Sequence, residues 1–242
     1  MSKEYDQITA FHYAAYRPSL HSKILHEYFK ENSIHGIGLD IGCGTGHSSI
    51  ALARYCDKVI GIDPSKEMLQ KVLSHPSVEY ALYNLKTLDF VNDHFSIITF
   101  AGSLYYAKSQ QLLNEIVRVG NSTAKILVYD FEIFLEKLLG ELEIDSDSKE
   151  KSEYDHQANF SGLDQKKIKI ELGFSKSFTV NISIPNLSHL LLSSKHNYSI
   201  LAEFFGDDNP YNKVVKKLES VLKAEEIVVD AMTYLKVYTV VK

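Results

Sequence analysis

Cysteine is scarce: the chain holds only two in 242 residues, Cys43 and Cys56. One pair in a chain this long makes no disulfide framework. Both read as reduced thiols, with no zinc site and no metal expected. Basic excess is also missing. Lys and Arg number 26 against 31 Asp and Glu, a formal net charge of −5, and no Lys/Arg cluster stands out. That weighs against a nucleic-acid partner, which demands a basic face. No apolar run is long enough to span a bilayer, and the N-terminus has no apolar signal core. A cytoplasmic protein without membrane attachment, monomeric or homodimeric, is the expectation. No internal repeat is visible. The phosphate loop G-x-x-x-x-G-K-[ST] is absent too, because no Lys-Ser or Lys-Thr follows the glycines.

What is present is concentrated in Gly38-Leu39-Asp40-Ile41-Gly42-Cys43-Gly44-Thr45-Gly46-His47. The preceding Ile34-His35-Gly36-Ile37 reads as a short buried strand, and His47 to Tyr55 as a helix. Glycines alternating with small residues let the backbone turn sharply and a ligand lie against it with no Cβ in the way. The helix that follows points free N–H groups at that ligand. The spacing is G-x-G-x-G, whereas a dinucleotide loop is G-x-G-x-x-G, and His47 stands where its last glycine would be. Asp40 is the second clue. A carboxylate there repels a pyrophosphate and attracts an ammonium or sulfonium. A third clue is Lys58-Val59-Ile60-Gly61-Ile62-Asp63, a strand ending in a carboxylate about twenty residues past the loop, the separation of a ribose-binding acid. Pro64-Ser65-Lys66-Glu67-Met68-Leu69 then opens a helix. The plainer alternative is that Asp40 caps a helix and Asp63 sits in a turn.

An acidic residue before G-x-G-x-G, with Gly-Ile-Asp-Pro-Ser-x-x-Met-Leu closing the next strand, resembles the class I S-adenosylmethionine-dependent methyltransferases. The resemblance implies S-adenosyl-L-methionine as cofactor. It places Asp40, Gly42, Cys43, Gly44 and Gly46 around the cofactor, and Asp63 on its ribose with Pro64 and Met68 beside it. Asn84 takes the place of the family's adenine-binding Asp, and its amide oxygen still accepts a hydrogen bond. The Leu85 N–H faces a ring nitrogen. Ala101 and Gly102 lie along the methionine portion. Tyr105 and Tyr106 stand where small-molecule members often carry His-Trp, which removes a histidine base at that place. Phe11-His12-Tyr13-Ala14-Ala15-Tyr16-Arg17-Pro18 is similar to the opening of trans-aconitate methyltransferases. That likeness sets Arg17 against the cofactor's carboxylate, and Tyr13 and Tyr16 along the methyl-transfer channel.

Strand and helix signals alternate after the glycine loop. Val78 to Tyr83, Phe95 to Ala101 and Ala124 to Phe131 read as strands, with the second of these buried on both faces. Ser19 to Phe29 and Gln111 to Val119 read as helices. This alternation implies a doubly wound, Rossmann-like, mainly parallel sheet. The resemblance makes it seven-stranded with an antiparallel edge. Glu141 to Tyr154 reads as a solvated loop. Lys176 to Ile184 and Thr233 to Val241 read as late strands, with helices at Leu187 to Leu192, Tyr198 to Phe205 and Tyr211 to Leu222. One domain over 1–242 is expected, with a cofactor core at 10–140 and a helical substrate cap at 185–225. The reaction expected is in-line methyl transfer to the oxygen, nitrogen or carboxylate of a small-molecule acceptor. Tyr105, Asp130, His156 and His189 are candidate bases, Tyr105 and His156 foremost, none with a motif behind it. A non-catalytic S-adenosylmethionine-binding protein and an NAD(P)-dependent oxidoreductase are the competing readings.

Overall fold

A computed structural model describes residues 7–30, 35–84, 87–135, 138, 140, 142 and 154–242. The expected Glu141 to Tyr154 loop and Ile34 therefore lie almost wholly outside the described residues. Helices α1 (Gln7–Ala15) and α2 (Leu20–Phe29) lead into strand β1 (His35–Ile41), followed by α3 (His47–Leu52), β2 (Cys56–Asp63), α4 (Lys66–Leu69), β3 (Val78–Leu82) and β4 (Phe95–Ala101). Next come α5 (Leu104–Ala107), α6 (Gln110–Val119), β5 (Gly120–Ile133) and β6 (Ile168–Ser183). Three helices, α7 (Ile184–Leu192), α8 (Lys195–Phe205) and α9 (Tyr211–Leu222), precede the last strand, β7 (Glu226–Val240).

The strands form one seven-stranded sheet in the order β3-β2-β1-β4-β5-β7-β6. The pairs from β3 to β5 are parallel, while β7 runs antiparallel to both β5 and β6. The reversed strand therefore sits one place in from the rim. The chain reverses direction at β1, with β2 on one side and β4 on the other, and the crevice at that reversal is where an open α/β sheet takes its ligand.

Alternation along the central strands covers both faces. Leu39, Ile41, Ile98, Phe100, Ile126 and Val128 face α6, which presents Leu112, Leu113, Ile116 and Val117. That spacing of three and four residues makes one apolar stripe, and Ser109 Oγ caps the helix by accepting from Leu112 N at 3.2 Å. Val59, Ile97, Leu127 and Tyr129 face α2 and α3, through Leu20, Ile24, Leu25 and Leu52. A third core ties α7, α8 and α9 together through Leu187, Leu191, Leu201, Val214 and Leu218. The late strands are longer than the sequence pattern suggests; β6, at the rim, is exposed along most of its length, where polar residues are tolerated.

Helix α1 was not evident in the sequence. Its buried residues are Thr9, Ala10 and His12, which carry no apolar periodicity. It docks on α7 by an imidazole pair, His12 Nδ1 to His189 Nδ1 at 2.9 Å, with Tyr211 stacked on His189 at 4.4 Å. Burial, and then the neighbouring His189, push the His12 imidazole down from its ordinary 6.5 to about 4. The unfolded chain takes up this proton near 6.5 and the fold does not until about 4. The contribution to stability is thus complete above the unfolded value and is lost as pH falls through that window. Acidification from about pH 7 to about pH 5 should cost about 2 kcal/mol through His12. Urea unfolding at the two pH values checks this: His12→Phe should show a smaller acid loss than the unsubstituted protein, and an equal loss would remove His12 as its source.

Candidate active site

The sheet reversal opens a cleft lined by the turn after β1, the end of β2 and the turn after β4. Gly42, Cys43, Gly44, Asp63, Pro64, Met68, Ala101 and Gly102, all named from the sequence, line it. Gly42 holds φ +74°, and a side chain there would overlap Ser103 Cβ. Gly46 holds φ +92°, and a Cβ would overlap the Tyr80 hydroxyl. Both positions need the left-handed backbone that glycine adopts without cost. Gly46 supports the turn from behind; it is not on the cleft wall.

Asp63 is the polar centre of the cleft. Its Oδ2 accepts from Gly44 N at 2.9 Å and its Oδ1 from Ser65 N at 2.7 Å. One carboxylate thereby ties the glycine turn to the start of α4. Burial raises its carboxyl above the ordinary range, and the Asp40 charge adds to that, while the two backbone N–H groups oppose it. Each oxygen keeps a second lone pair for a ligand hydroxyl.

Asp40 corrects the sequence reading. It belongs to β1, which runs on to Ile41, so its side chain points opposite to Leu39 and Ile41, under α3. It is fully buried. Ser48 Oγ and Ser49 Oγ donate to its Oδ2 at 2.6 and 2.7 Å, and Thr99 Oγ1 donates to its Oδ1 at 2.7 Å. Asp40 therefore anchors the first turn of α3 and the neighbouring β4, and acts on the cleft through Ser48, which lines it.

Other expected residues lie elsewhere. Arg17 does not line this cleft but an adjoining one, and its guanidinium stacks on Tyr13 at 4.4 Å and Phe131 at 5.1 Å. Tyr16 packs against the helical core of α7 to α9, whereas Tyr13 lines the cleft. Asn84 follows β3 with its Oδ1 accepting from Thr87 N at 3.5 Å, off the cleft wall, and Leu85 lies outside the described residues. Tyr105 is exposed and packs edge-on to Tyr106, the residue that does line the cleft. Cys43 lines the cleft as a thiol, its ionisation pushed far up by burial. Sequence reasoning missed His21, His47, Ser48, Ser65 and Glu67 as lining residues. Ser103 lines the cleft beside Gly42, and its hydroxyl donates to Ile41 O.

His156 stands beside the cleft, not in it. Its Nδ1 is 2.8 Å from Asp130 Oδ2, and the single Tyr154 Oη–H lies between that oxygen at 2.8 Å and Gly102 O at 2.5 Å. The Asp130 contact raises the imidazole above its ordinary value although burial lowers it. Gly102 is the point where this network meets the cleft.

A model of a methyltransferase domain matches residues 39–122, the span from β1 through the start of β5. The chain carries a class I S-adenosylmethionine-dependent methyltransferase domain. Over 99 residues it is 29% identical to the uncharacterized methyltransferase YcgJ of Bacillus subtilis, covering 38% of this chain and 39% of that one. Over 76 residues it is 34% identical to the cypemycin N-terminal methyltransferase of a Streptomyces species, covering 30% and 31%. The matched segments span about a third of the length of the curated relatives. The likeness in fold extends beyond the matched segment. A protein of Anaeromyxobacter dehalogenans, proposed as a type II methyltransferase, superposes with TM-score 0.63 at 17% identity over 93% of this chain and 97% of that one. The cofactor of this family is S-adenosylmethionine. Among the described residues no helix is long and apolar enough to cross a membrane, and no cluster of three or more His, Cys, Asp or Glu side chains could hold a metal.

Proposed function

We propose that the protein transfers a methyl group from S-adenosylmethionine to a small-molecule acceptor. The observation that carries this reading is Asp63: a buried carboxylate at the end of β2, tied to the glycine turn and lining the cleft at the sheet reversal. The residues present fit the cofactor. Asp63 offers two acceptor oxygens to a vicinal diol. Gly42, Gly44 and Gly102 give a wall without Cβ atoms, against which an amino-acid chain can lie. Met68 supplies an apolar flank, with Pro64 beside it.

Bound there, S-adenosylmethionine supplies an activated methyl on a good leaving group. The residues then have to position the acceptor and exclude water. Tyr13 from α1 and Tyr106 from α5 add two phenol rings to the cleft wall. Helix α1 bridges to α7, so 185–225 serves as a cap and 10–140 as the cofactor core. An acceptor with a hydroxyl or amine loses a proton, and Asp130, reached through Tyr154 Oη beside Gly102, is placed to hold it. His156 orients that carboxylate. A net charge of −5 and the aromatic cleft favour a metabolite over RNA.

Two measurements test the reading. Calorimetry should show saturable binding of S-adenosylhomocysteine and none of NAD. Transfer of labelled methyl from S-adenosylmethionine should then mark a member of a metabolite pool containing phenols, amines and carboxylic acids. Label appearing only in RNA or protein overturns the small-molecule acceptor, and absence of cofactor binding overturns the reading as a whole.

A further inference from the structure

A second cleft opens between the N-terminal end of α2 and the flank of α3, next to the one described. Arg17, His21, His47, Arg54 and His75 line it, and none of its described lining residues is acidic. Three of these side chains carry buried polar atoms without a hydrogen-bond partner: Arg17 Nε, His21 Nδ1 and His47 Nε2. His21 is only 8% exposed. A buried donor left unmade costs more than a made one gains. Arg17 Nε–H is a donor and each neutral imidazole nitrogen is one in a single tautomer, so one acceptor in this cleft satisfies all three. The first turn of α2 contributes as well: Ser19 caps it with no side-chain hydrogen bond, and Ser19, His21 and Ser22 all line the cleft. The positive end of a ten-residue helix thus faces the same space.

We infer that this cleft is an anion site, which takes a carboxylate or phosphate group of a second small molecule between Arg17, His21 and His47. The guanidinium is pre-set for it. Stacking on Tyr13 and Phe131 fixes its plane, and a planar fork held in place suits an oxyanion. The two imidazoles are held neutral by burial and by Arg17 itself; an anion among them reverses that balance and favours their charged forms. Arg54 and His75 are the remaining titratable groups on the wall and act in the same direction. His21 and His47 also line the cofactor cleft, so the anion sits within reach of a ligand there. The inference does not require methyl transfer.

Imidazole proton resonances of the intact protein, followed by NMR during titration with inorganic phosphate and separately with acetate, test it. Saturable shifts of His21 and His47 are expected with at least one of the two anions, and an upward movement of both titration midpoints. Arg17→Gln should weaken the binding about tenfold or more. Arg54→Gln, at an exposed position, should weaken it less and leaves the core untouched, so it reports on the site even if Arg17→Gln unfolds the protein. A response linear in anion concentration and equal in both variants overturns the inference. So does a response to S-adenosylhomocysteine alone, with none to phosphate or acetate; the donors would then serve the cofactor's own amino-acid end. Shifts with phosphate or acetate in a protein that fails to bind S-adenosylhomocysteine leave the anion site standing and remove the methyltransferase reading instead.

Discussion

Asp63→Ala should lower the affinity for S-adenosylhomocysteine by about a hundredfold or more. Two hydroxyls of a ribose donating to one carboxylate are charge-assisted contacts, each contributing about 1.5–3 kcal/mol, and every 1.4 kcal/mol is about tenfold. The substitution has a second effect that must be separated from the first. Gly44 N and Ser65 N lose their acceptor, so the glycine turn and the start of α4 are released together. Asp63→Asn keeps an oxygen and the side-chain shape, and should lose about tenfold. An analogue of the ligand lacking the ribose 2′-hydroxyl distinguishes direct contact from a loosened turn. The unsubstituted protein should bind it more weakly than the ribose form, and Asp63→Ala should bind the two alike, which is the signature of coupled partners. If Asp63→Ala binds with undiminished affinity, or still tells the two sugars apart, Asp63 does not hold the ribose.

The parts of this site that were legible in the sequence are those written in the backbone. Gly42, Gly44 and Gly46 all have positive φ, and a conformational demand of that kind favours glycine. Asp63 was legible because it ends a strand whose buried alternation is uninterrupted from Val59 to Ile62, bar a half-buried Ile60. Asp40 was misplaced because the strand was ended at Ile37 instead of Ile41. Side-chain direction alternates, so a strand boundary in error loses the parity on which orientation depends. The N-terminal phrase gave no helix signal, since α1 is held by contacts 177 residues away in sequence. The cationic cleft is hidden for the same reason. Its members come from the chain before α2 and its first turn, from α3 and the residues just after it, and from the turn ahead of β3, and only the fold brings them together. Long, half-exposed strands such as β6 defeat pattern reading from the other direction: most of its residues touch water, so the apolar positions are too sparse to mark its ends.

The corrected place of Asp40 leads to a different expectation from a charge that attracts the ligand. Asp40→Ala should destabilise the fold by about 3–5 kcal/mol, since each buried hydroxyl left without its acceptor costs about 1–3 kcal/mol. Ser48, Ser49 and Thr99 are all buried and all donate to this one carboxylate. Removing it leaves three hydroxyls to find acceptors inside a packed interior. Asp40→Asn should cost far less, since the amide oxygen still accepts and a rotating hydroxyl can turn to receive the new N–H. Burial raises the Asp40 carboxyl above its ordinary 3.8 despite the three hydroxyls. The fold therefore loses stability as pH rises through that window, and the amide escapes the loss. Urea unfolding at neutral pH gives both magnitudes. Ligand affinity separates the two roles: S-adenosylmethionine carries a sulfonium charge that S-adenosylhomocysteine lacks. A carboxylate acting on that charge would make Asp40→Asn weaken the first ligand more than the second. A carboxylate acting through Ser48 and the first turn of α3 leaves the ratio of the two affinities as it is in the unsubstituted protein, and that constancy is the expected result.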